Sequence, residues 1–268
     1  MKIKVAAIQM DPKLLDVEYN TEHSLELIDQ AISEGAKVIV LPELANTGYA
    51  FESTEEALKV AEIAPGGPTV SAWEEKAMEN KIYIVGGFAE KSGFRVYNSS
   101  VLVGPHGYIG TYRKLHLFDK EKEIFAPGNL DLWVYHGTDG INIGMMICFD
   151  WVFPEVARVL ALKGADIITH PANLVLPYAQ RAMPIRAIEN RVFTVTANRV
   201  GFERGIAFTG QSLIINPLGK VLKKANKDKE AILVEEIDLS LAKDKNMTER
   251  NNLFEDRRPK YYRKLVEE

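Results

Sequence analysis

Three residues able to carry acyl chemistry each close an apolar run: Glu43 after Leu41-Pro42, Lys114 after Tyr112-Arg113, and Cys148 after Met145-Met146-Ile147. A carboxylate, an ammonium and a thiol are the parts needed for attack on an acyl carbon. The carboxylate takes the thiol proton, and the ammonium with a backbone N–H stabilises the oxyanion that develops. Cys148 is the one cysteine of the chain. It ends the stretch Ile141 to Ile147, which reads as a buried strand with Gly144 inside it. Asp150 and then Pro154-Glu155 read as the opening of a helix. Free N–H groups and the helix dipole would favour an anion there, so the sequence predicts a thiolate that is easy to form. Each residue also has a plainer role. A lone cysteine in an apolar run is more often a small core hydrophobe. Glu43 could be the acid of a helix N-terminus, and Lys114, in R-K-L-H, a surface cation. Spacing alone does not bring the three together.

Hydrophobic periodicity shows which elements must hold them. Ile3 to Met10 alternates as a strand, and Val38 to Leu41 is a short apolar strand ending at Pro42-Glu43. Ile82 to Phe88 and Asn98 to Gly104 continue as strands, and Pro105-His106-Gly107 reads as a hairpin turn into Tyr108 to Tyr112, which delivers Lys114. Helical spacing covers Thr21 to Glu34, stopped by Gly35, then Thr54 to Ile63 and Val70 to Asn80, with a P-G-G-P loop at Pro65 to Pro68. Beyond Cys148 the order recurs. A helix at Glu155 to Lys163, stopped by Gly164, is followed by a strand at Asp166 to His170, a helix at Met183 to Asn190 and a strand at Val192 to Ala197. Gln211 to Asn216 then turns at Pro217-Leu218-Gly219 into Lys220 to Leu222.

The two halves answer one another in detail. E-G-A-K-V-I-V-L-P from Glu34 matches K-G-A-D-I-I-T-H-P from Lys163. E-N-K-I-Y-I-V from Glu79 matches E-N-R-V-F-T-V from Glu189, and V-G-P-H-G from Val103 matches I-N-P-L-G from Ile215. Each copy is too long to be a solenoid repeat. Each would be a sheet backed by helices, and two such sheets can stack face to face. The expectation is an α/β fold, an α-β-β-α four-layer sandwich with an internal pseudo-two-fold duplication, over residues 1–241. Residues 242–268 form a charged tail with Tyr261, Tyr262 and Leu265 interleaved. It reads either as a solvated tail with some helix or as an arm packing on a partner subunit.

At 268 residues and 46% hydrophobic, the chain has ample material for such a core. A formal charge of −4 with the two signs interspersed speaks against nucleic acid or a membrane surface as partner. One cysteine allows no internal disulfide. Residues 1–10 enter a strand with no apolar leader, and no apolar run approaches the ~20 residues of a membrane span. The expected setting is cytoplasmic.

L-P-E-L-A-N-T-G-Y (Leu41 to Tyr49), Y-R-K-L-H-L-F (Tyr112 to Phe118) and I-C-F-D-W-V-F-P-E (Ile147 to Glu155) resemble the three signature blocks of the nitrilase, or carbon-nitrogen hydrolase, superfamily. G-A-D-I-I-T-H-P-A-N (Gly164 to Asn173) and R-A-I-E-N-R-V-F (Arg186 to Phe193) are similar to its supporting blocks. The resemblance runs from Ile3 to about Leu241 and is closest to archaeal-type nitrilase and small-amide hydrolase members. It implies a Glu-Lys-Cys triad at Glu43, Lys114 and Cys148. It also implies a second glutamate at Glu121, with Glu123 as the neighbouring alternative, and the same sandwich fold assembled as a homodimer. It implies no metal or organic cofactor.

The expected chemistry is thiol hydrolysis of non-peptide C–N bonds in small amides. Small aliphatic nitriles and N-carbamoyl amines are alternative substrates. A protein of another class, with a structural or redox-sensing thiol, is the remaining alternative, although redox sensors usually carry a resolving cysteine. Superfamily members that cleave amides of dicarboxylic acids can carry an arginine after the C-x-D motif; Trp151 stands there in this chain. Tyr49, Phe118, Phe149 and Trp151 would line a tight aromatic pocket for small, mostly uncharged substrates, and Asn173 could add a hydrogen bond. Arg181, Arg186 and Arg199 are possible anion partners, with solvated helix faces as their plainer role.

Overall fold

The computed structural model describes residues 1–267. β1 (Lys2–Gln9), β2 (Val38–Val40) and β3 (Tyr83–Ser92) lie parallel, connected by α1 (Val17–Ser33), α2 (Thr54–Val60) and α3 (Pro68–Asn80). β3 then continues antiparallel into β4 (Arg95–Gly104) and β5 (Gly107–Arg113). The one-turn helix α4 (Glu121–Ile124) and β6 (Val134–His136) lead to the second copy. That copy comprises β7 (Asn142–Met145), α5 (Pro154–Leu162), β8 (Ile167–Ala172), α6 (Ala179–Asn190) and β9 (Phe193–Asn198). A small hairpin, β10 (Phe202–Glu203) and β11 (Ile206–Ala207), precedes β12 (Leu213–Ile215) and β13 (Val221–Lys224). β14 (Ala231–Asp238), α7 (Ser240–Lys243) and the hairpin β15 (Asn246–Thr248) and β16 (Asn251–Asn252) complete the chain's regular structure.

The duplication extends to the topology. One sheet runs β14-β1-β2-β3-β4-β5 and the other β6-β7-β8-β9-β12-β13, with the same pattern of parallel and antiparallel neighbours. Even an unusual backbone state recurs. Lys81 and Arg191, equivalent positions in the two copies, both end their helices in the left-handed region, at φ 53° and 48°. The final strand of each copy crosses to the other sheet: β6 pairs with β7, and β14 pairs with β1. These exchanged edge strands tie the halves into one unit. They were not read from the sequence, because β6 is only three residues long and most of β14 is only partly buried.

Strand alternation sorts the core into layers. Val5, Ala7, Val40 and Val85 of the first sheet pack on Ile143, Ile167, Val195 and Ala197 of the second. Between them, Ala6, Ile8, Ile39 and Ile84 face Leu27 and Ile28 of α1 and Trp73 of α3. Ile168, Leu213 and Ile215 face Leu160 of α5 and Met183 of α6. This is the expected α-β-β-α sandwich.

Two local expectations change. The strand before the thiol is shorter than Ile141–Ile147, and no α-helix opens directly behind it. Cys148–Val152 forms a 3-10 turn, and α5 starts only at Pro154. The tail holds little helix: it has the β15–β16 hairpin and two single 3-10 turns. Lys245 Nζ donates to the carbonyls of Asn190 and Arg191 at 3.2 and 2.8 Å, so packing within the chain runs past residue 241. Among the described residues no helix is long and apolar enough to cross a membrane.

Candidate active site

Glu43 follows β2 in a turn that is clamped to β3. Gly87 N donates to Pro42 O at 3.0 Å and Ala45 N donates to Gly87 O at 2.8 Å, so both flanks of Glu43 are pinned to one residue. Contact is so close that a Cβ on Gly87 would lie 2.5 Å from Glu43 Cα. Gly87→Ala therefore displaces the Glu43 backbone. Since misplacement by about 1 Å can cost ~100-fold in rate, the expected result is a folded variant with kcat reduced roughly 100-fold, checked by turnover beside a circular dichroism melt.

Lys114 leaves the end of β5, held by its N–H on Asn98 O at 2.8 Å and by Gly128 N on its own carbonyl at 2.9 Å. Its ammonium is fully buried between two carboxylates, 2.6 Å from Glu43 Oε1 and 2.7 Å from Glu121 Oε1. Burial works against the Lys114 charge, but the carboxylates of Glu121 and Glu43 outweigh it and raise the pKa above its ordinary value. One ammonium cannot neutralise two buried carboxylates. Burial, opposed by Lys114 and reinforced by Glu43, pushes Glu121 up to about 7. Glu123 is exposed, so Glu121 is the glutamate that meets the lysine.

The sign of the Glu121 shift sets a pH dependence. Its carboxyl titrates near 4.5 ordinarily and near 7 in the fold, so between those values the unfolded chain releases its proton first. Stability from this group is intact below pH ~4.5 and falls as the pH rises to ~7, by at most roughly 3 kcal/mol. Glu121→Gln should remove this slope. Thermal midpoints taken from pH 4 to pH 8 should show the variant gaining on the wild type as the pH rises; a constant difference would refute the assignment.

Cys148 starts its turn at φ 39°, in the left-handed region that a residue with a Cβ rarely adopts. Two buried groups hold it there. Asp150 Oδ2 accepts from Ile147 N at 2.9 Å and from Tyr112 OH at 2.7 Å, while Oδ1 accepts from His116 Nδ1 at 2.8 Å. Tyr112 and His116 flank Lys114, so Asp150 locks the lysine segment to the cysteine turn. His170, buried and held down to about 4 by that burial, is neutral at physiological pH. Its Nε2 faces the Cys148 carbonyl at 2.9 Å and must carry the proton, because a carbonyl can only accept. His170, inside β8, is thus a buried packing residue that braces the Cys148 carbonyl.

The thiol itself corrects the sequence reading. Burial first, and then the Glu43 charge, push the Cys148 thiol well above its ordinary value, against the pull of Lys114. The resting group is a protonated thiol, and the dipole expected from a helix is replaced by a neighbouring carboxylate.

Glu43 shows a marked asymmetry. Oε1 takes Lys114 Nζ and Asn98 Nδ2, the latter at 2.7 Å, while Oε2 is buried with no partner among the described residues. Asn98 was missed in the sequence, where an asparagine at the head of N-S-S inside a buried strand was the available signal. Cys148, Phe118, Phe149, Trp151 and Asn173 line one cavity of about 150 Å³. Leu174, Val175, Leu176 and Tyr178, on the loop after β8, complete most of its wall and were also missed. Tyr49 reaches the same cluster from its other side, near Glu43 and Cys148. It lines a neighbouring cavity of about 230 Å³ and donates its hydroxyl to Glu121 Oε1 at 2.8 Å. The candidate anion partners are engaged or remote. Arg199 pairs with Asp11 and Glu203, Arg186 braces the Trp151 carbonyl at 3.1 Å, and Arg181 is exposed.

Residues 4–246 match the carbon-nitrogen hydrolase family. A nitrilase from Pyrococcus abyssi is 52% identical over 260 residues, which cover 97% of this chain and 99% of that protein. An (R)-stereoselective amidase from a Pseudomonas species is 34% identical over 248 residues, covering 90% and 87%. The crystal structure of an amidase from a Nesterenkonia species superimposes with a TM-score of 0.82 over 98% of this chain and 96% of its own, at 23% identity, and so shares the fold.

Proposed function

Because this chain belongs to the carbon-nitrogen hydrolase family, we propose that it cleaves the C–N bond of small, mostly uncharged amides through a thioester on Cys148. The observation that carries this reading is the bare, buried Oε2 of Glu43, whose other oxygen is fixed by Lys114 and Asn98. A general base needs a free lone pair within hydrogen-bond reach of the proton it takes.

In this mechanism Sγ of Cys148 bonds to the amide carbon as its proton passes to Glu43 Oε2. A thiol held protonated by burial requires that transfer to accompany attack. The oxyanion is held by Lys114 Nζ and the Phe149 N–H, an amide at the start of a turn, where no partner exists within the turn. Glu43 returns its proton to the nitrogen, the C–N bond breaks and ammonia leaves. A water then gives its proton to Glu43 and attacks the thioester. The C–S bond breaks and the acid departs, with the thiol restored. Glu121 and Tyr49 keep Lys114 aimed. The lining of Phe118, Phe149, Trp151 and Leu174, in a cavity of about 150 Å³, suits a short uncharged acyl group. The domain is read as residues 1–241, and the exposed Tyr261, Tyr262 and Leu265 support the tail as a contact for a second copy.

The test is ammonia release from small aliphatic amides, ω-amides, carbamoyl amines and matching nitriles, with Cys148→Ala as the blank. Release from amides that depends on Cys148 is the expected result, and no amide activity would overturn it. Nitrile hydrolysis is a second reading, favoured by the name of the 52% identical relative; acid and ammonia from nitriles alone would establish it.

A further inference from the structure

We propose that the side-chain oxygen of Asn173 accepts an N–H of the substrate amide, making Asn173 a residue that selects carboxamides over esters and nitriles. This deepens the reading above and rests on it.

Asn173 is the first residue beyond β8 and is 2% exposed. It stands between the nucleophile and the base: its backbone N–H is near enough to the Cys148 sulfur to pull the thiol's pKa down, and its Nδ2 donates to the Glu43 carbonyl at 2.8 Å. The second contact fixes the amide's orientation, because a carbonyl oxygen needs a donor and only Nδ2 can supply one. Oδ1 must therefore face the other way. It is buried and has no partner among the described residues, while Asn173 lines the cavity that contains the thiol. An unpaired buried acceptor is costly. Asn173 borders the cavity walled by Phe118, Phe149, Trp151 and Leu174, and an unpaired acceptor there suits a ligand that brings its own donor.

The three candidate substrate chemistries differ in that feature. A primary amide brings two N–H donors at the scissile nitrogen, and two orphan oxygens, Glu43 Oε2 and Asn173 Oδ1, are present to receive them. An ester of the same acyl group and a nitrile bring none, and each would bury Oδ1 unpaired. Sites built to pair with a substrate hydrogen-bonding group discriminate strongly against analogues that lack it.

The experiment compares kcat/KM for a primary amide and the methyl ester of the same acid in wild type and in Asn173→Leu, which keeps the branched heavy-atom skeleton and removes the acceptor. The amide value should fall about 10- to 100-fold while the ester value changes little, so that the amide-to-ester ratio drops at least about tenfold. Equal losses on both substrates would reduce Asn173 to a brace for the Glu43 carbonyl and overturn the proposal. Should Asn173→Leu fail to fold, binding to Cys148→Ala serves instead: the amide should bind at least about tenfold more tightly than the ester, and equal affinity would overturn the proposal. A wild type active on amides with an unchanged ratio in the variant sinks this inference alone, whereas a wild type inactive on every amide sinks the reading beneath it as well.

Discussion

Cys148→Ala is expected to lose turnover by a factor on the order of 10⁴ or more, since no other group present can form the acyl intermediate. The fold should survive. The side chain is small and 7% exposed, and replacing a thiol with a methyl hydrogen leaves a minor void costing about 1 kcal/mol. A control separates the two roles of this position. Cys148 holds φ 39°, which alanine tolerates no better than cysteine and which glycine adopts freely. Cys148→Gly should be as inactive as the alanine variant yet less destabilised than loss of the side chain alone implies. Turnover and urea midpoints of both variants check this. Wild-type turnover in Cys148→Ala would end the thiol mechanism, and the core-packing role of a lone buried cysteine would stand in its place.

The legibility of the chain follows the range of the interactions concerned. Glu43, Lys114 and Cys148 stand out because each closes an apolar run, and strand endings are local. The duplication was readable because helix stops and hairpin turns use glycine and proline at matching places in both halves. What brings Glu43 and Cys148 together is the stacking of two sheets, a contact between residues far apart in sequence, and only the family resemblance bridged that distance. The same limit hid Asn98, which reaches Glu43 from β4. It also hid the partner of Tyr49, whose hydroxyl reaches Glu121. The thiol's protonation was misread for a different reason. Strand-to-helix position was taken to decide it, yet burial and a neighbouring carboxylate act in the opposite direction and are stronger. Asp150 was legible as part of C-F-D but not as the tie between the cysteine turn and the Tyr112–His116 segment, because its partners come from the other sheet.

Glu43→Gln should lose at least about 1,000-fold in turnover, because proton transfers to and from one positioned group serve both acylation and hydrolysis. The substitution keeps the shape. The glutamine carbonyl can still accept from Lys114 and Asn98, as Oε1 does now at 2.6 and 2.7 Å. Its amide nitrogen then occupies the place of Oε2 and cannot take a proton. The thiol responds differently from the enzyme. The Glu43 charge is one of the influences that raise the Cys148 pKa, so its removal favours the thiolate at any given pH. Iodoacetamide alkylation needs a thiolate and a leaving iodide, with no proton delivered to nitrogen. In Glu43→Gln, alkylation of Cys148 at pH 8 should therefore persist while amide turnover collapses, the two losses differing by at least about 100-fold. Parallel losses would mean that Glu43 serves only to generate the nucleophile, leaving the departing nitrogen to be protonated by another group. Stability offers an independent reading of the same change. With Glu43 neutral, Lys114 faces one carboxylate instead of two, and the repulsion that helps push Glu121 up to about 7 is gone. The loss of stability between pH ~4.5 and ~7 should shrink accordingly, so that Glu43→Gln, although inactive, gains on the wild type in melting temperature as the pH rises from 4 to 8.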